Sequence, residues 1–239
     1  HFINKVHRES MTFVPRPKVM VAIPLDVTEV ERKAVEDSVM GAGASEVFLI
    51  EEVVAAAIGA GLPIQEATAS MVVDIGGGTT EIAVISLGGV VSWKSLKLAG
   101  DKLNEAIIQY ARDKFNILLG ERTAEKIKFQ IASVLPLEKP EEATMRGRDL
   151  LTGLPKEITI TDANIREAIA KPIKLIVENI KTTIESTPPE LVADLYEKGM
   201  VLTGGGALLK GIDTLIHQET KMPVHIADDP LTAVVRGTG

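Results

Sequence analysis

The sequence predicts an α/β protein with largely parallel sheets, and three observations carry that expectation. Apolar β runs alternate with helical patterns along the whole chain, as a layered α/β fold requires. Two of those runs end in glycine clusters, Asp74-Ile75-Gly76-Gly77-Gly78-Thr79-Thr80-Glu81 and Leu202-Thr203-Gly204-Gly205-Gly206-Ala207. With 239 residues and 45% hydrophobic content, the chain can bury one or two cores. Aromatics are only 3%, so those cores are built from Val, Ile, Leu and Ala.

Lys18 to Ile23 reads as a strand and Thr28 to about Met40 as a helix. Thr28 and Glu31 are spaced as a capping box, in which each side chain satisfies the other's backbone N–H. Val47 to Ile50 is a strand, and Glu52 to about Ala60 is a short alanine-rich helix. Met71 to Ile75 and Ile82 to Leu87 are strands joined by the first glycine turn, and Val90 to Leu98 adds another. Helices follow at about Asp101 to Phe115 and Thr123 to Ser133. The charged, proline-marked stretch Leu135 to Asp149 leads into short strands around Arg148 and Ile158. Asp162 to about Ser186 is a long helix, capped by Asp162 or Thr161 and ended by Pro188-Pro189. After a small helix, Met200 begins a short strand that leads into the second glycine turn, then an amphipathic helix through about Gln218. The strand Val224 to Ile226 closes the pattern. No repeat is visible, and no linker is long or polar enough to separate independent domains.

The glycine turns carry the chemistry. Glycine has no Cβ and tolerates positive φ, so its backbone N–H groups can approach an anion closely. In the first turn the hydroxyls of Thr79 and Thr80 add donors, and Asp74 ends its strand where a carboxylate can hold Mg²⁺ through water. An ordinary glycine hairpin with a turn aspartate is the alternative. In the second turn, amides at a helix start favour electron-rich groups, and glycine lets a flat base lie against the chain. Neither cluster is a P-loop or a G-x-G-x-x-G fingerprint. Two such turns point to one nucleotide held between two lobes.

Composition removes other classes. A net charge of −7 argues against nucleic acid as a partner. The absence of cysteine excludes disulfides, thiol nucleophiles and cysteine metal sites, and is compatible with the cytoplasm. His1, His7, His217 and His225 show no ligand spacing. No apolar run approaches the roughly 18 to 20 residues that span a bilayer.

D-I-G-G-G-T-T-E followed by L-T-G-G-G-A-L-L resembles the actin and sugar-kinase superfamily, and within it the bacterial MreB family. The strings Thr187-Pro188-Pro189-Glu190-Leu191-Val192 and Asp228-Asp229-Pro230-Leu231-Thr232-Ala233-Val234 are narrower and resemble MreB alone. The resemblance implies an actin-like, ribonuclease H-like, two-lobed ATPase fold from which the first phosphate hairpin and the first small subdomain are missing. The chain opens without an initiator methionine and stops at Gly239, where the family continues into a final helix, so a fragment is expected. Residues 1–69 resemble the remainder of the first large subdomain; 70–102 and 161–228 resemble the second large subdomain. Residues 103–160 resemble the small subdomain inserted there, and 229–239 return to the first.

The same resemblance implies site roles. Asp74 would hold Mg²⁺, and Gly76, Gly77, Gly78, Thr79 and Thr80 would cradle the phosphates of ATP or ADP. Glu52 stands where the family places a water-orienting glutamate, although helix N-terminal acids also serve the dipole. Val53 follows it where the family commonly has proline. Glu125 and Lys128, three apart on one helix face, would contact ribose and base, with a surface ion pair as the alternative. Gly100 and Asp101 resemble the connection beside the sugar, where Asp101 can equally be an N-cap. Gly204, Gly205 and Gly206 match the adenine-side turn. Met11, Phe13 and Val14, between Arg8 and Arg16, suit a membrane-docking loop or one tucked on the domain.

The resemblance also implies slow ATP hydrolysis coupled to head-to-tail filaments at the inner face of the cell membrane. It also implies partnership with cell-wall synthesis and morphogenesis proteins. A metabolite kinase of the same superfamily and a nucleotide-independent interaction fragment are the other readings.

Overall fold

The computed structural model describes residues 17–239. Met11, Phe13 and Val14, the expected membrane loop, lie outside the described residues, as do His1 and His7.

The first layer is a parallel pair, β1 (Lys18–Ile23) and β2 (Glu46–Glu51), crossed by α1 (Glu29–Gly41). Helix α1 starts where the capping box forms. The Glu31 carboxylate takes the Thr28 N–H at 2.8 Å, and the Thr28 hydroxyl takes the Glu31 N–H at 3.3 Å. Glu51 hands the chain directly to α2 (Glu52–Gly59), whose Val53, Ala55, Ala56 and Ala57 are buried.

The central sheet has five strands in the order β10-β9-β3-β4-β5. These are β3 (Ser70–Ile75), β4 (Thr80–Ser86), β5 (Gly89–Leu96), β9 (Met200–Thr203) and β10 (Val224–Ile226). Strands β10, β9 and β3 run parallel, whereas β3-β4 and β4-β5 are antiparallel. A separate antiparallel sheet is formed by β6 (Ile117–Leu118), β7 (Glu142–Asp149) and β8 (Pro155–Thr161). The expectation of largely parallel sheets is therefore corrected. Tight turns such as Leu87-Gly88 can only join antiparallel neighbours, because parallel strands need a long crossover.

Strands β3 and β4 are buried along nearly their whole length because both faces of the sheet are covered. Met71, Val73, Ile75, Ile82 and Val84 pack into the main core with α3 (Gly100–Phe115), α4 (Glu121–Ile131) and α5 (Asp162–Glu185). Val72, Ala83 and Ile85 pack on the opposite face against Val53, Ala56 and Ala57 of α2. This alternation decides which polar side chains share a face. Asp74 and its register partner Glu81 share the α2 side with Val72 and Ala83, while Thr80 falls on the other.

Helix α5 starts on a capping box formed by Thr161 with Asn164, which resolves its cap in favour of Thr161 over Asp162. Helix α6 (Pro189–Lys198) has proline at its first position. The second glycine turn does not lead straight into the expected amphipathic helix. Gly205–Leu208 forms one 3₁₀ turn, and α7 (Ile212–Thr220) starts only after Gly211, whose φ is +80°. A left-handed residue cannot continue a right-handed helix, so the run is cut in two.

The short α8 (Ala233–Gly237) packs across α2 at contacts that leave no room for a side chain. A Cβ on Gly59 would lie 1.8 Å from the Ala233 carbonyl oxygen, and one on Gly237 would lie 1.8 Å from that of Ala55. Gly59→Ala is expected to cost at least about 2 to 3 kcal/mol, because backbone must move to admit the methyl. Urea unfolding checks this; a loss below about 0.5 kcal/mol would refute close packing here.

Candidate functional site

The first glycine turn joins β3 to β4 and is held by three backbone hydrogen bonds. Gly76 N–H donates to the Thr79 carbonyl at 2.9 Å, closing the turn. The carbonyls of Gly76 and Gly77 accept the N–H groups of Gly100 and Asp101 at 3.1 and 2.8 Å, so two N-terminal amides of α3 hold the turn. Among the described residues, the N–H groups of Gly77, Gly78 and Thr79 take no backbone acceptor. Three successive open amides above a helix N-terminus form a concavity suited to an anion.

Beside this turn lies a cleft of about 340 Å³. Its walls bring together Gly76, Gly77, Gly100, Asp101, Glu125, Lys128, Gly205 and Gly206 from four separate stretches of chain. Leu103, Phe129, Ala132, Leu208, Leu209, Lys210 and Leu231 complete it with a mostly apolar surface that sequence reading missed. Asp101 lies in the first turn of α3 and is not its N-cap, which is Ala99. Glu125 and Lys128 share the cleft without an ion pair within 4 Å of each other. Lys128 instead donates to the Gly100 carbonyl at 3.0 Å and lies over the Phe129 ring. Burial holds its ammonium below the ordinary range, and the nearby Glu125 and Asp101 charges act against that.

Thr80 is a correction. Its hydroxyl is fully buried and donates to the Leu98 carbonyl at 2.7 Å, so it is not available as a phosphate donor. As a strand residue one position before Glu81, it points to the opposite face of the sheet.

The acidic residues gather on the α2 side. Asp74 is 5% exposed, and its Oδ1 accepts the Thr203 hydroxyl at 2.7 Å. Burial pushes its carboxyl up, and the Thr203 hydrogen bond partly restores it. Glu52, half-buried at the first position of α2, is raised by burial and then by the Asp74 charge. Glu81 is 1% exposed and accepts the Leu25 N–H at 2.9 Å. It is pushed up to about 7, mainly by burial, against the pull of the Leu25 bond and with help from the charges of Glu52, Asp74 and Asp26. Glu81 was the functional candidate missed in the sequence. The signal was present, as an acid inside an apolar strand directly after the turn.

Gly204 joins the two groups of residues. Its φ is +76°, its N–H donates to the Pro230 carbonyl at 2.8 Å, and a Cβ there would lie 2.4 Å from the Ile75 oxygen and 2.9 Å from Asp74 Oδ1. Among the described residues, no group of three or more His, Cys, Asp or Glu side chains is placed to hold a metal ion. One strand-end carboxylate beside open amides fits Mg²⁺, which keeps much of its water and binds through one or two carboxylates plus phosphate.

The raised carboxyls make stability depend on pH. Between about pH 4.5 and 7 the folded chain keeps a proton on Glu81 that the unfolded chain has released, so stability falls as pH rises through that window. Asp74 and Glu52 are shifted in the same direction and add to the slope. Glu81→Gln keeps an acceptor for Leu25 and removes the charge. It is expected to stabilise the chain at pH 8 by up to about 2 kcal/mol and to leave it nearly unchanged at pH 5. Melting curves at the two pH values check this; lower stability than the parent at pH 8 would contradict it.

The chain is similar to known proteins over its whole length. A family model described as MreB/Mbl protein matches residues 1–239. The cell shape-determining protein MreB of Escherichia coli strain K12 is 53% identical over 239 residues, covering 100% of this chain and 69% of that protein. The cell shape-determining protein Mbl of Bacillus subtilis strain 168 is 44% identical, covering 100% of this chain and 71% of that protein. MreB5 of Spiroplasma citri, solved bound to AMPPNP, superposes with a TM-score of 0.93 at 36% identity, over 97% of this chain and 70% of its own. The MamK double helical filament shares the fold, with a TM-score of 0.82 at 20% identity, over 100% of this chain and 72% of its own. The fold is thus actin-like. With every residue matched by the family model and half of the positions shared with a curated relative, this chain belongs to the MreB/Mbl family.

Proposed function

We propose that this chain binds ATP and ADP in the cleft between the two glycine turns and hydrolyses ATP slowly as part of an actin-like filament. The observation that carries the reading is the convergence of Gly76 and Gly77, Asp101, Lys128 and Gly205 on one cleft. The open amides of Gly77, Gly78 and Thr79 meet the phosphates, Lys128 and Glu125 the sugar and base, and the 3₁₀ turn at Gly205–Leu208 the adenine. Mg²⁺, when bound, neutralises phosphate charge, and Asp74 holds it through water.

Glu52 orients the attacking water. Phosphoryl transfer asks a protein mainly for positioning and charge stabilisation, so one aimed carboxylate suffices for a slow reaction. Its raised affinity for protons makes it a better acceptor for a water hydrogen than an ordinary surface glutamate.

Subunits add head to tail, and heterologous contacts of that kind do not close, so filaments result. The division into two large subdomains, 1–69 with 229–239 and 70–102 with 161–228, and an inserted small one at 103–160 belongs to this reading. Relatives named for determining cell shape support a role in maintaining rod shape by organising cell-wall synthesis. Among the described residues, no helix is long and apolar enough to cross a membrane. Attachment to the inner face of the cell membrane therefore rests, in this reading, on Met11, Phe13 and Val14.

Titration calorimetry of ATP with Mg²⁺ into the chain tests the proposal. A Cβ on Gly77 would have only Asp101 Oδ1 nearby, at 4.0 Å, so Gly77→Val can fold while its side chain fills the phosphate end of the cleft. The parent is expected to bind saturably, and Gly77→Val to weaken binding at least about tenfold with an unchanged melting temperature. Absence of binding by the parent would instead favour a nucleotide-independent interaction module.

A further inference from the structure

Glu81 is the most enclosed carboxylate among the described residues, and the reading above gives it no task. Its Oε1 accepts the Leu25 N–H, while its Oε2 is buried without a partner among those residues. A carboxylate held this way costs free energy that an apolar side chain in the same strand would not.

The two ends of this hydrogen bond belong to different layers. Leu25 lies two residues beyond β1, and the parallel register sets Ile23, the last residue of β1, beside Glu51. The next residue after Glu51 is Glu52, at the start of α2. Leu25 and Glu52 therefore sit at the same end of the same two-stranded layer. Glu81, by contrast, is the second residue of β4, the strand that leaves the phosphate turn. Among the described residues, the Leu25–Glu81 bond is the one hydrogen bond between the β1–α1–β2 layer and the central sheet.

The geometry points to Glu81 as a positioning residue that straps the layer carrying Glu52 onto the strand carrying the phosphate turn. This inference rests on the reading of Glu52 as the residue that orients water. An acceptor oxygen at this position, carboxyl or amide, can take the Leu25 N–H and so tie the two layers. Positioning matters here because displacement of a reacting group by about 1 Å can cost about a hundredfold in rate.

Two variants of the chain separate the strap from simple packing. Glu81→Gln keeps the acceptor for Leu25, and Glu81→Met fills the same space without one. Hydrogen exchange is read at Ile23–Glu29 and at the first turn of α2, alongside ATP turnover, nucleotide affinity and melting. Glu81→Gln is expected to stay within about threefold of the parent in exchange and turnover. Glu81→Met is expected to exchange at least about tenfold faster in both segments and to turn over about tenfold more slowly, with affinity within about threefold.

Unchanged exchange in a folded Glu81→Met overturns the strap. So does impairment of Glu81→Gln equal to that of Glu81→Met, or a loss of affinity matching the loss of turnover. If Glu81→Met does not fold, the parent decides. There the Leu25 amide is expected to exchange at least about tenfold slower than that of the exposed Asp26, and equal rates overturn the inference. A parent that turns over no ATP refutes the hydrolysis reading, while the exchange data still decide whether the strap exists.

Discussion

Glu52→Ala is expected to lower ATP turnover by about a hundredfold or more while nucleotide affinity changes by less than about threefold. The separation follows from where the side chain stands. Glu52 is not part of the cleft wall, which is built from the two glycine turns, α3 and α4. It lies across the sheet end with Asp74 and Glu81, on the face covered by α2. Removing it deletes the carboxylate proposed to orient water and leaves the lining of the cleft intact. The fold is expected to tolerate the change. The favourable dipole contribution of an acid at a helix start, about 0.3 to 1 kcal/mol, is offset by relief of repulsion with Asp74 and Glu81. Single-turnover measurement beside calorimetry checks both halves. A variant that loses binding and turnover in proportion would place Glu52 in the binding surface instead.

Gly204→Ala is expected to destabilise the chain by about 3 to 5 kcal/mol and to remove nucleotide binding. Two costs add. A non-glycine residue at φ +76° meets about 1 to 2 kcal/mol of backbone strain. The added methyl would also stand 2.4 Å from the Ile75 oxygen, and relief of such overpacking costs about 1 to 3 kcal/mol. For a chain of this size the melting temperature should fall by roughly 10 °C. Binding suffers because the displaced atoms belong to both halves of the site. Ile75 leads into the first glycine turn, Asp74 Oδ1 lies 2.9 Å from the new methyl, and Gly205 and Gly206 line the cleft. Melting and ATP titration on the same preparation check this. A variant that melts within about 2 °C of the parent would show that the turn can relax without strain.

Much of the fold was legible from local pattern. The strand Lys18–Ile23, the capped helix after Thr28, the alanine-rich helix from Glu52 and the long helix from Asp162 stand where periodicity and capping residues place them. Both glycine turns were visible because glycine after an apolar run has few other uses. Local signals failed where partners lie far apart in sequence. Ile117–Leu118 is too short to read as a strand and exists because Arg148 and Asp149 pair with it. The helix expected after Gly204 was cut by left-handed Gly211, whose φ a periodicity argument does not see.

For the site, the sequence by itself determined the chemical vocabulary: flexible glycines, an aspartate at a strand end, a glutamate opening a helix. Those depend on residue type and near neighbours alone. Only the tertiary structure decided which of them share a space. Period-two alternation in β4 turned Thr80 inward to Leu98 and Glu81 toward Asp74, a distinction invisible in the string Thr-Thr-Glu until the buried faces of the strand are known. Folding likewise brought Lys128 to the Gly100 carbonyl and Leu25 to Glu81, 28 and 56 positions apart. Such contacts are set by how sheets and helices stack, which no short window of sequence contains.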